Sequence, residues 1–275
     1  MIALTLTATL WGGGATVAQN IDSGISAAPA AQTPSMLQGW QLGGVISHGR
    51  YHEPRLMQLQ GPRLGVWAAK SLPEHGHWQP NLQGQLQSTV MQYSSPISGE
   101  LANVPDHELD LRLTAQHPLS PANGSTLGYL RVEAYLGLGY RMHYNDLRGT
   151  TTHGHIGYRR LNHRLYLPLG IQMQTLALNP VKISMEYTPA LYGTHTTYMT
   201  DVGGIEDATM QQKSQGWSLQ ANWQPQPGWR LSAYHRQWST RATSTWKTTI
   251  SGVTKFYLEP ASEWQETGIK LGRQF

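Results

Sequence analysis

From Trp40 onward, apolar and polar side chains alternate in segments of about ten residues, punctuated by Pro, Gly, Asn and Asp. Alternation with period two predicts strands, because successive side chains of an extended chain point to opposite faces. Trp217, Leu219, Ala221 and Trp223 share one face of such a segment, and Ser218, Gln220, Asn222 and Gln224 share the other. Leu130, Val132, Ala134, Leu136, Leu138 and Tyr140 oppose Arg131, Glu133, Tyr135, Gly137, Gly139 and Arg141. Leu161, Leu165, Leu167, Leu169 and Ile171 oppose Arg160, Asn162, Arg164, Tyr166 and Gln172. Val181, Ile183, Met185 and Tyr187 alternate with Lys182, Ser184 and Glu186. Shorter runs occur at Leu109/Leu111/Leu113 and Trp229/Leu231/Ala233, weaker ones at 40–52, 58–71 and 78–93, and a last one at 264–275. The count is ten, and an even number returns both chain ends to the same side of a barrel.

Three observations turn the apolar face outward. The polar faces carry small residues, tyrosines and opposite charges (Asp110, Arg112, Arg131, Glu133, Arg160, Arg164, Lys182 and Glu186), which suits a packed polar lumen. Aromatics sit near segment ends: Trp40, Trp78, Trp223, Trp229 and Phe275 toward one rim, Tyr140, Trp217, Trp238 and Trp264 toward the other. Two such girdles are expected at the two bilayer interfaces. The connections 176–180 and 224–228 are tight, whereas 201–213 and 241–262 are long and polar, as for short periplasmic turns and long external loops. The expected fold class is therefore all-β: a transmembrane antiparallel up-and-down β-barrel of ten strands, with both termini in the periplasm.

Composition removes the competing classes. Hydrophobic residues make up 39%, and no run approaches the roughly 20 apolar residues of a spanning helix. The +4 charge comes from scattered Lys and Arg with no basic block, so no nucleic-acid partner is expected. The absence of cysteine fits an oxidising compartment without requiring one. Residues 1–18 read as a signal peptide with cleavage after Ala18, its missing basic stretch implying a start further upstream. Residues 19–38, rich in Ala, Ser, Pro and Gln, read as a periplasmic linker, and 39–275 as the barrel.

Catalytic motifs are lacking: no Gly-x-Ser-x-Gly, Walker pattern or His-Glu-x-x-His occurs. Carboxylates on the polar faces lie beside arginines, where structural ion pairing is the simplest reading. The acidic 201–207 stretch lacks the dense carboxylate spacing of a calcium loop, and no cofactor is expected. His52, His143, His153, His155 and His195 fall near one set of strand ends, the last four being metal candidates if they converge. The same four, oriented by Asp146, Asp201 or Glu206, are the only acid/base candidates for an enzyme.

The closing strand alternates Thr267, Ile269, Leu271 and Phe275 against Glu266, Gly268, Lys270, Gly272 and Gln274, with Arg273 as the exception. Together with Ser47-His-Gly-Arg-Tyr-His-Glu-Pro54, Gly137-Leu-Gly-Tyr-Arg141, Leu165-Tyr-Leu-Pro-Leu-Gly170, Glu259-Pro260 and Gly268-Ile-Lys-Leu-Gly272, it resembles the small porin-like outer-membrane β-barrel proteins of Gram-negative bacteria. The resemblance covers residues 40–275 as strand patterning. It implies an outer-membrane location and Phe275 as part of the signal read by the barrel-assembly machinery. It also implies contact with outer-membrane lipid and lipopolysaccharide. Arg273 departs from the usual apolar residue and is expected to snorkel to the interface. A ten-stranded barrel is only slightly wider than one filled by its own side chains, so the expectation is a largely filled lumen and a structural or surface-interaction role. The alternatives are a narrow, anion-preferring porin and an outer-membrane protease or lipid A-modifying enzyme with a rim site.

Overall fold

A computed structural model describes residues 39–119, 130–176, 179–250 and 253–275. The expected signal peptide and linker, and the middle of the 176–180 turn, lie outside them. The strands are β1 (Trp40–Glu53), β2 (Met57–Ser71), β3 (Gln79–Ser95), β4 (Gly99–Pro118), β5 (Leu130–Asp146), β6 (Arg159–Tyr166), β7 (Leu169–Thr175), β8 (Val181–Thr197), β9 (Ala208–Gln211), β10 (Ser214–Trp223), β11 (Trp229–Thr240), β12 (Trp246–Ile250), β13 (Val253–Tyr257) and β14 (Ser262–Gln274).

Twelve of these form the barrel wall as ten antiparallel staves, because two staves are interrupted. β6 and β7 both lie between β5 and β8, broken at Leu167-Pro168, where proline cannot donate to the ladder. β9 extends β10 along β8. β1 pairs with both β2 and β14, so the sheet closes and leaves no edge in the wall. β12 and β13 form a separate hairpin. One rim carries both wall termini, Trp40 and Gln274, and is called the terminus rim; the opposite one is the far rim.

Alternation sets the two faces as expected. Leu111, Leu113, Leu136, Leu138, Ile171, Ile183, Leu219 and Ile269 point outward and are exposed, while Arg63, Glu108, Glu133, Arg141, Arg164 and Glu266 point inward and are buried. An apolar outside around a polar inside is the arrangement for lipid, the reverse of a soluble barrel. At the terminus rim, Lys70 lies 5.4 Å from the Trp40 ring, and Arg273 lies 5.9 Å from Trp229 and 5.8 Å from Phe275. Arg273 thus sits among interfacial aromatics, where its cation can reach water while its stem stays apolar. Trp217 and Tyr140 face outward nearer the far rim, where Trp217 packs on His235 and Tyr140 on His163.

Two girdle assignments are corrected. Trp238 and Trp264 are only 4% and 3% exposed and lie inside the barrel. Their numbers are even, sharing parity with inward Arg236 and Glu266, whereas outward residues of those strands are odd. The loop contrast is also less uniform than expected. The far rim carries the long connections 147–158, 198–207 and 241–261, but also tight turns at 54–56 and 96–98.

Two inward glycines make room for tyrosine rings. A Cβ on Gly139 would overlap the Tyr166 ring, and one on Gly170 would overlap that of Tyr135. The rings lie flat over bare backbone and fill lumen space that two side chains could not share.

Candidate functional site: the barrel interior

Arg63 of β2, fully buried, is the centre of a charge cluster that spans the lumen. Its Nη2 donates to Asp106 Oδ1 at 3.0 Å, and its Nη1 to Glu108 Oε2 and Glu266 Oε2, both at 2.9 Å. Arg236 Nη2 donates to Glu266 Oε2 at 2.6 Å and to Glu108, and its Nη1 reaches Asp110 Oδ2 at 3.2 Å. Arg141 Nη2 donates to Glu108 Oε2 at 2.7 Å. Alternation on β4 aims Asp106, Glu108 and Asp110 inward together, and β2, β5, β11 and β14 supply their partners. Three guanidinium groups thus face four carboxylates, with His143 Nε2 2.6 Å from Asp106 Oδ2. Tyr166 donates to Asp110 at 2.6 Å, Tyr234 donates to Glu266, and Gln87 accepts from Arg63 at 3.3 Å. Trp264 covers Arg63 at 4.8 Å and the His143 ring at 4.6 Å. Charges this deeply desolvated are tolerable only when paired; each guanidinium here has a carboxylate partner, although Arg63 Nε and Arg141 Nε and Nη1 are buried without a hydrogen bond among the described residues.

Toward the far rim, Arg160 Nη2 bridges Glu53 Oε1 at 2.8 Å and Glu259 Oε1 at 2.9 Å. His195 Nδ1 meets Asn162 Oδ1 at 2.8 Å, and its Nε2 lies 2.9 Å from Thr197 Oγ1 and 3.2 Å from Glu259 Oε1. Nδ1 therefore carries the proton and Nε2 accepts. Glu259, in the 258–261 connection outside the wall strands, is pushed up to about 7, first by burial and then by Glu53, with Arg160 opposing. One guanidinium shared between two carboxylates does not offset desolvation of the second, and protonated Glu259 can donate to Nε2.

The sign of the resulting pH dependence follows from linkage. A raised folded-state value favours the protonated form, so Glu259's contribution is full below its ordinary value near 4.5 and is lost as pH rises through about 7. Unfolding titrations should show stability falling across this window by up to about 3 kcal/mol. Glu259→Gln should flatten that part of the profile, and an unchanged slope would count against the assignment.

Toward the terminus rim the lumen widens into a vestibule of about 360 Å³. Its lining includes Arg112, whose Nη2 donates to Glu186 Oε1 at 2.5 Å. Arg131 pairs with Glu133 at 2.6 Å, and Glu133 also accepts from Gln172.

The eight charged lumen residues read from the sequence all occur inside the barrel, but in separate places. Arg112, Arg131, Glu133, Lys182 and Glu186 line the vestibule. Asp110 joins the central cluster, Arg160 the far-rim bridge, and Arg164 donates to Thr240 at 3.3 Å. Phe275 ends the closing stave, its backbone N donating to Trp40 O at 2.9 Å.

The four histidines do not gather. His143 and His195 are buried, while His153 and His155 are on the exposed 147–158 connection, with His153 Nδ1 3.1 Å from Ile97 O. No group of three or more His, Asp or Glu arranged to hold a metal occurs among the described residues. Their expected carboxylates are engaged elsewhere: Asp146 with Arg148 at 2.6 Å and Asp201 with Arg159 at 2.8 Å, while Glu206 lies exposed in the 203–207 loop. The acid–base contacts that do form are His143 with Asp106 and His195 with Glu259.

The central cluster was missing from the sequence reading. Arg63 sits in Gly61-Pro-Arg-Leu-Gly65, where proline obscures the alternation, and Asp106 precedes the recognised leucine run. Parity was the available signal: extending the β4 run backward from Leu109 puts Asp106 and Glu108 inside.

No protein-family model and no curated protein matches this chain. Among solved structures it is similar to the outer membrane protease OmpT from Escherichia coli, with a TM-score of 0.51 and 10% identity, covering 89% of this chain and 99% of that one. The COG4313 outer membrane channel from Pseudomonas putida F1 also matches, at TM-score 0.36 and 9% identity over 90% of this chain and 100% of that one. At 10% identity the likeness to the protease establishes an outer-membrane β-barrel fold and nothing about chemistry.

Proposed function

We propose that this chain resides in the bacterial outer membrane as a small porin-like barrel with an occluded lumen, in a structural or surface-interaction role. The observation that carries the reading is the cluster around Arg63, which ties β2, β4, β5, β11 and β14 together across the space a pore would need. Support for a surface role comes from the far rim, where Ile97, Ile156, Ile205, Val253 and Phe256 are all more than half exposed on connections or on the separate hairpin. Exposed apolar side chains mark an interaction site where they form one contiguous patch, and these five are its candidates. In planar-bilayer recordings the purified protein should give no large, stable conductance. Steady porin-sized openings would overturn the occluded reading.

A narrow porin is the second reading, favoured by the vestibule, where Lys70, Arg112, Arg131, Lys182 and Arg230 outnumber Glu74, Glu133 and Glu186. Any small residual current should accordingly prefer anions, and cation preference would remove this alternative.

A further inference from the structure

Cross-strand pairing sets one continuous inward row at the terminus-rim end of the lumen: Arg131, Gln174, Lys182, Asn222 and Ser232, on β5, β7, β8, β10 and β11. Arg230 lies two residues nearer the rim on β11 and lines the same vestibule. The two other inward arginines there are neutralised, Arg112 by Glu186 and Arg131 by Glu133. The side chains of Lys182 and Arg230 make no hydrogen bond or ion pair with any described residue. Lys182 lies within electrostatic range of Glu133, already committed to Arg131, and of Arg230 and Arg131 themselves. Glu74 is on the exposed turn at the mouth and pairs with neither. Two cations held in a recess without counter-charges of their own favour a bound negative group, which relieves their mutual repulsion, so the vestibule offers an anion site.

The rest of the lining adds a second requirement. Among the described residues, the side chains of Gln41, Gln83 and Gln174, which line the vestibule, have no hydrogen-bond partner, and Gln41 Oε1 is a buried acceptor left unsatisfied. An amide offers a donor and an acceptor side by side, which matches a hydroxyl group that both gives and takes a hydrogen bond. The recess, about 360 Å³ with the Arg112–Glu186 pair in its lining, is within the size range of small-molecule sites. We propose that this vestibule binds an anionic monosaccharide, a sugar acid or sugar phosphate, with Lys182 and Arg230 on the charged group and the free glutamines on the hydroxyls.

The test is calorimetric titration of the full chain in detergent micelles at low ionic strength with four probes: glucuronate, glucose 6-phosphate, glucose and inorganic phosphate. Glucuronate or glucose 6-phosphate should bind, the better of them showing which charged group fits. Glucose and phosphate should each bind at least about tenfold more weakly, since each lacks one half of the recognition. Lys182→Gln and Arg230→Gln should each weaken the preferred ligand about tenfold or more, and Arg50→Gln, on the outer wall, should not. No binding by either sugar anion, equal binding of phosphate or of glucose, or full affinity in both vestibule variants would overturn the proposal. If either variant fails to fold, the four-probe comparison on the unaltered protein decides by itself. Conductance does not enter, so this site and the occluded lumen stand or fall separately.

Discussion

Arg63→Met should destabilise the barrel by about 3–5 kcal/mol, the range for removing one partner of a buried ion pair. Methionine replaces the aliphatic stem but not the guanidinium, so the loss is dominated by the missing charge and its hydrogen bonds. The substitution strips Asp106, Glu108 and Glu266 of a shared donor while leaving all three out of water. Arg236 still reaches Glu108 and Glu266, but Asp106 keeps only His143 and Asn145. Adding Glu266→Gln to Arg63→Met removes one surplus negative charge, so the double variant should recover part of the loss instead of summing two penalties. Arg50→Met is the control, because Arg50 is exposed and makes one contact, to Gln58 at 3.1 Å; its effect should stay within about 0.5 kcal/mol. Denaturant titrations of folded barrels in lipid vesicles measure all three. Equal stability of the Arg63 and Arg50 variants would show that the cluster contributes no net stability.

That cluster also marks the boundary between what the sequence disclosed and what needed coordinates. Strand number, closure and the outward apolar face follow from period-two alternation, which is a local property of the chain. The long leucine runs of β5 to β8 declared it clearly. Parity extends the same argument to every inward residue, including Trp238 and Trp264, whose aromatic character suggested a girdle while their even numbers placed them inside. Pairing partners are different in kind. Arg63 and Glu266 are 203 positions apart, and they meet only because β1 lies between β2 and β14 and the register of both ladders brings the two side chains to one level. Alternation says that a residue points inward but not at what height around the ring. For the same reason the histidines grouped near strand ends in the sequence separate into two buried residues and two on a surface connection.

Height and face together predict the response of the wall to charge. Leu136 of β5 is about half exposed, points outward and is paired with Ala115 and Leu169. It lies in the apolar stretch between Val132 and Leu138, two outward positions below Tyr140, where Tyr140 and His163 begin the far-rim polar belt. An arginine there has no inward partner and must be hydrated through the lipid. The expected cost is about 2–4 kcal/mol, the range for Arg on the lipid face near the bilayer midplane. Leu167→Arg, at the break between β6 and β7, should behave similarly. Gln220→Arg is the matched comparison: its side chain faces the vestibule, donates to Asn222 Oδ1 at 2.6 Å and reaches water through the terminus rim. The added cation meets Lys182 and Arg230, but in a hydrated recess where repulsion is screened. Assembly into vesicles should therefore fall markedly for Leu136→Arg and Leu167→Arg and change little for Gln220→Arg. Equal tolerance at the two classes of position would mean that the outer wall does not face lipid, because only lipid makes the two faces of one strand so unequal toward the same side chain.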